Sequence, residues 1–191
     1  MSDLRILAGS AKGRALQIPE SARPTPARVR KSLFDILEHS YGTDSGEDGS
    51  RLLDLYAGAG GVGLEAASRG FAVTMIESDV RAIATLERNR TMMRVEAKIL
   101  KGDVIKWLER NTQTFEIVFI DPPFDQDILE ITRAALNKNL IAENGVMIVQ
   151  HPSQLKLELD GFMFERRVYG SNVLSFHWLE KTVLDHIGEA L

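Results

Sequence analysis

The chain has 191 residues, 44% of them hydrophobic and 26% charged, a balance that suits one compact domain with at most a small appendage. It contains no cysteine, which excludes disulfides, thiol nucleophiles and zinc–thiolate sites, and no apolar run approaches the roughly 20 residues of a membrane-spanning helix. The formal net charge of −4 is unevenly spread: residues 1–34 hold seven Lys or Arg against two acids, so a basic arm precedes an acidic body and points to an anionic partner.

In chain order, LRILAGSAKGRALQIP predicts two short strands around a Gly-Ser-Ala-Lys-Gly turn. RPTPARVRKSLFDILEHS follows, with Val29, Leu33, Ile36 and Leu37 at helical spacing and Arg28 and Lys31 on the opposite face. The polar, glycine-rich stretch 43–50 is the best linker candidate. Beyond it, strands and helices alternate. RLLDLY, FAVTMIE, AKIL, FEIVFI and GVMIVQ read as strands. Helices are predicted over VGLEAASRG, VRAIATLERNRTMM (with Asp79 as its cap), VIKWLER and ILEITRAALNKNLI. FMFERRVYGSNVLSFHWLE closes the pattern as an antiparallel hairpin at the sheet edge. Alternation of this kind gives an α/β fold, a doubly wound and mostly parallel sheet. The expected organisation is a basic extension over 1–42, a main domain over 50–180 and a tail over 181–191. Nothing at the N-terminus has the apolar stretch of a secretion signal, so the expected location is cytoplasmic.

Ligands of such sheets bind beyond the carboxyl ends of the strands. Here four of those ends carry a carboxylate: Asp54, Glu77, Asp103 and Asp121. The first loop, DLYAGAGGVGLEA, matches G-x-G-x-x-G through Gly58, Gly60 and Gly63, with Glu77 19 residues after Gly58. That pattern suits a dinucleotide or S-adenosylmethionine, and the sign of the charge separates them. A pyrophosphate gains nothing from Asp54 and Asp103, whereas an ammonium and a sulfonium are attracted by both. Glu77 can accept hydrogen bonds from ribose hydroxyls, Asp103 can accept one from the adenine amino group, and loop N–H groups can hold the ligand carboxylate. Glu65, on the helix after the loop, reads as a plain solvated acid. The four histidines lack metal spacing and no metal is expected.

The stretch FEIVFIDPPF ends a buried strand on an acid, two prolines and a ring. Pro122 drives Asp121 toward an extended backbone, Pro123 does the same to Pro122, and neither proline has an N–H. The Asp121 side chain and the Pro122 carbonyl thus form a stiff, accepting corner suited to an –NH2 group, and Phe124 offers a face for a planar base. Such a corner can aim the lone pair of a base amine at a methyl donor. A guanine N2 and an adenine N6 serve equally well at this level. An NAD-dependent oxidoreductase and a non-catalytic RNA-binding module are the other readings, disfavoured by Asp54 with Asp103 and by Asp121 respectively.

RILAGSAKGRALQIP, RPTPARVRKSLFDIL, LLDLYAGAGGVGLEAASRG, MIESD and FIDPPF together resemble the RsmD-type 16S ribosomal RNA guanine-N2-methyltransferases, from about Arg5 to Leu179. The resemblance implies a Rossmann-like methyltransferase domain with a mostly parallel seven-stranded sheet, one antiparallel edge strand and a small N-terminal hairpin and helix extension. It implies S-adenosylmethionine as cofactor and 16S rRNA within the assembling small ribosomal subunit as partner. A monomer is expected. Carried over by motif position, Asp54, Gly58 and Gly60 line the cofactor, Glu77 the ribose and Asp103 the adenine. Tyr56, Ala57, Ser78, Val104 and Asp121 are further cofactor contacts. Asp121, Pro122, Pro123 and Phe124 hold the target guanine, and Arg5, Lys12, Arg14, Arg23 and Arg28 contact RNA phosphates.

Overall fold

The structure is a computed structural model that describes residues 4–19, 25–41, 49–123, 125–159 and 162–179. The expected linker falls mostly outside these residues, and Arg23, Phe124 and the tail wholly so. The elements are α1 (Ala27–Tyr41), β1 (Arg51–Leu55), α2 (Gly63–Ser68), β2 (Ala72–Glu77), α3 (Val80–Met93), β3 (Lys98–Lys101), α4 (Val104–Arg110), β4 (Phe115–Ile120), α5 (Ile128–Asn137), β5 (Ile141–Pro152), β6 (Phe162–Tyr169) and β7 (Asn172–Leu179). They build a seven-stranded sheet in the order β3-β2-β1-β4-β5-β7-β6. Strands β3 to β5 in that order pair in parallel, and β7 runs antiparallel between β5 and β6, so the hairpin closes one edge.

The strands are apolar on both faces because both are covered. Alternate residues enter two separate cores. Leu52, Met75, Ile117, Phe119 and Ile148 point to one. Leu53, Leu55, Ile76, Val118 and Val149 point to the other. Val104 and Leu108 of α4 with Ile131 and Ala135 of α5 cover the second face. The first is covered by α2, α3 and the N-terminal segment, whose Leu4, Ile6, Leu16, Val29, Leu33, Phe34 and Leu37 belong to the same core. Burying each large side chain of that segment stabilises the fold by about 1.5–3 kcal/mol. Its hairpin is short: one antiparallel bridge joins Arg5 to Ala15, flanked by the Ile6 N–H to Arg14 and Leu16 N–H to Leu4 carbonyl bonds.

Helix starts follow their caps. Asp79, Asp103 and Asp127 accept from the first-turn N–H groups of Ala82, Lys106, and Leu129 with Glu130. Helix α5 ends sooner than its apolar pattern suggests. Asn139 takes a φ of 50°, which ends the helix, and Ile141 enters β5 instead.

Glu65 corrects a sequence expectation. It is fully buried and is not a solvated acid. Its Oε2 accepts from the Leu7 N–H at 2.7 Å and from Arg30 at 3.3 Å, and its Oε1 accepts from the Ala8 N–H at 3.0 Å and from Arg69. Arg30, counted in the basic arm, is equally buried and also donates to the Arg5 carbonyl at 2.8 Å, so its charge is spent inside the fold.

Candidate active site

A cleft of about 550 Å³ opens beyond the carboxyl ends of β1, β2 and β4. Four carboxylates line it, Asp54, Glu77, Asp79 and Asp121, and among the described residues no Lys or Arg does. Backbone geometry shapes its floor. Tyr56, just past β1, has φ 67°, a left-handed conformation rare outside glycine, and Gly58 follows at 55°. This reversal returns the Gly58 N–H to Glu77 Oε2 at 2.8 Å. Glu77 Oε1 accepts from the N–H groups of Ser78 and Asp79, each at 2.8 Å, so the carboxylate is fixed by its own turn. Only Oε2 keeps clear acceptor capacity toward the cleft. Ala59 and Gly61 also line the cleft, and among the described residues their N–H groups find no acceptor.

Asp54 sits lowest, almost completely buried, and accepts from the Gly63 N–H at 2.8 Å. Burial pushes its carboxyl up to about 8; the Gly63 N–H opposes this, while the charges of Asp121 and Glu77 add to it. Burial likewise raises the Tyr56 phenol, helped by the charge of Asp103. A positive charge brought beside such a carboxyl would return its ionised form to favour.

The corner after β4 forms the opposite wall. Asp121, Pro122 and Pro123 all line the cleft, with Pro122 buried and Pro123 exposed. The Pro123 carbonyl accepts from the Gln126 N–H at 3.1 Å. Thr25, directly before Pro26 and α1, reaches over to this corner, and its hydroxyl donates to Asp121 Oδ2 at 3.3 Å.

The cleft thus gathers Asp54, Tyr56, Ala57, Gly58, Glu77, Ser78, Asp121, Pro122 and Pro123. Three cofactor candidates stand outside its lining. Gly60 is a packing glycine: at φ +88° an added Cβ would lie 2.4 Å from Leu86 and 2.6 Å from Leu64. Asp103 is exposed and caps α4, and Val104 is buried in the second core. Of the arm, Arg5, Lys12, Arg14 and Arg28 are exposed. Arg5 donates to the Gly13 carbonyl and Arg14 to the Met92 carbonyl at the end of α3. Sequence reasoning had no signal for Thr25, Gln150 or Asn172 as cleft residues, since each arrives from an element whose local pattern concerns packing.

Comparison with known proteins gives a consistent picture. The family described as conserved hypothetical protein 95 matches residues 4–178. The ribosomal RNA small subunit methyltransferase D of Escherichia coli K12 is 36% identical over 146 residues, 74% of this chain and 68% of that protein. The chain belongs to the RsmD-type family. A hypothetical protein of Thermus thermophilus has the same fold, with a TM-score of 0.82 at 38% identity over 90% of this chain and 97% of that one. The 16S rRNA N2 G1207 methyltransferase of T. thermophilus, solved with AdoMet and guanosine, superposes with a TM-score of 0.69 at 25% identity over 84% of this chain and 45% of that one.

Proposed function

We propose that this RsmD-type chain is an S-adenosylmethionine-dependent rRNA methyltransferase that modifies the exocyclic N2 amino group of one guanine in 16S rRNA of the small ribosomal subunit. The observation that carries this reading is an acidic cleft, without a Lys or Arg among its described residues, walled by the Asp121-Pro122-Pro123 corner. Family membership and a structural relative named for an N2-guanine reaction support it.

The residues present fit the cofactor. Asp54 and Glu77 favour its positive charges, the Ala59 and Gly61 N–H groups can donate to its carboxylate, and Glu77 Oε2 can accept from a ribose hydroxyl. When bound, it supplies a methyl group on a positively charged sulfur. The chain's task is then to present a poor nucleophile, an amine whose lone pair is spread into the base. Asp121 accepts a hydrogen bond from the amine and turns its lone pair toward the cleft. The double proline holds the Asp121 backbone still while this happens. Positioning of this kind accounts for several kcal/mol of barrier lowering. As the methyl carbon would pass from sulfur to nitrogen, with the electron pair of the broken C–S bond leaving on S-adenosylhomocysteine, positive charge would develop on the amine, and the same carboxylate would stabilise it until the surplus proton leaves to solvent. The target base leaves its stack to reach this depth, and Arg5, Lys12, Arg14 and Arg28 contact flanking phosphates.

Labelled S-adenosylmethionine and small subunits from cells lacking the enzyme test this directly. The expected product is N2-methylguanine at a single position of 16S rRNA. Label on an adenine N6 would replace guanine with adenine as the substrate, and absence of label from rRNA would overturn the reading.

A further inference from the structure

Thr25 lies outside the glycine loop and the Asp-Pro-Pro corner, yet its side chain reaches the centre of the proposed chemistry. It is buried, it lines the cleft, and it contacts Asp121 from 96 positions earlier in the chain. We propose that Thr25 is a positioning residue for Asp121: its hydroxyl fixes the rotation of the carboxylate so that the acceptor faces the incoming amine. The inference rests on the proposed role of Asp121 in binding that amine.

The two prolines act on the backbone of this corner. Pro122 restricts the backbone of Asp121 but not its side chain, and the terminal torsion of an Asp carboxylate is broad. A carboxylate turned through part of that range presents its lone pairs to the wall of the cleft instead of the substrate. A donor that does not itself move removes the ambiguity. Thr25 qualifies on two counts. Its β-branched side chain is stiff at χ1. Its backbone leads straight into α1, where the Pro26 carbonyl accepts from the N–H groups of Val29 and Arg30 at 2.9 and 3.0 Å. Helix α1 is in turn held by Val29, Leu33, Phe34 and Leu37 in the first core and by the Arg30–Glu65 pair. The hydroxyl is therefore anchored to the body of the fold.

The N-terminal segment then does more than contact RNA, because it supplies a part of the reaction centre.

Single-turnover methyl transfer to undermodified small subunits, compared for the wild type, Thr25→Val and Thr25→Ser, tests the assignment. Thr25→Val keeps the shape and removes the donor, and it is expected to slow transfer by about ten- to a hundredfold, the usual effect of a hydrogen bond to a charged group. Affinity for S-adenosylhomocysteine, measured by calorimetry, should be unchanged, and Thr25→Ser should restore most of the rate. Thr25→Ala takes the place of the valine variant if the latter does not fold. A valine or alanine variant as fast as wild type overturns the proposal, as does a serine variant no faster than valine. Either result with an active wild type leaves the proposed function standing. A wild type that transfers no methyl to rRNA overturns that function instead.

Discussion

Asp54 shares its buried pocket with Asp121 and Glu77, and its carboxyl is pushed from the ordinary 3.8 up to about 8. Between those two values the folded protein holds a proton that the unfolded chain has already released. Folding stability therefore falls as pH rises through this window and levels off above it. Asp54→Asn removes the slope. It is expected to raise stability at pH 8 by about 1–2 kcal/mol, read from denaturant midpoints, while weakening S-adenosylmethionine binding by about tenfold or more. A variant less stable at pH 8 would show that the carboxylate is not the source of the penalty. The acids of the site were readable from sequence because doubly wound sheets place ligands at strand ends, and Asp54, Glu77 and Asp121 end β1, β2 and β4. Thr25 and Glu65 were not. Their partners lie 96 and up to 58 positions away, and no local periodicity records such contacts.

Strand β7 carries a different tension. His177 is fully buried, packs against the Phe164 ring at 6.0 Å between centroids, and has no hydrogen-bond partner for either ring nitrogen among the described residues. His151, on the adjacent strand β5 and paired there with Val173, shares a hydrogen bond with Ser175 at 2.7 Å. Burial, then the proximity of His151, pushes His177 down to about 4. The unfolded chain thus binds a proton that the folded one refuses. The contribution of neutral His177 is complete above the ordinary 6.5 and is lost as pH falls toward 4. His177→Phe keeps the ring and removes both unsatisfied atoms. Urea midpoints should show it more stable than wild type by about 1–3 kcal/mol, with the larger gain at pH 5.5 than at pH 7.5. An equal or smaller gain at the lower pH would contradict this account. The hairpin itself was legible from its turn residues. The end of α5 was less so, because Leu140 and Ile141 continue an apolar pattern that the positive φ of Asn139 interrupts.

Across the whole molecule, the N-terminal segment and the sheet share one core, and Glu65 ties them together through four donors from three parts of the chain. Glu65→Ala leaves Arg30 buried without its partner and should destabilise the protein by about 3–5 kcal/mol. Denaturant unfolding followed by the fluorescence of Trp107 and Trp178 should still show one transition for the whole protein, and an early separate step would mark the segment as an independent unit. Composition showed a basic segment before an acidic body, but a sum of charges could not show that Arg30 faces inward or that α1 begins beside the candidate site. The central claim concerns the Asp121 carboxylate, and Asp121→Ala tests it most directly, with methyl transfer to the small subunit and S-adenosylhomocysteine affinity measured on one preparation. The transfer rate should drop by about a hundredfold or more with the affinity retained, whereas transfer at the wild-type rate would contradict the account.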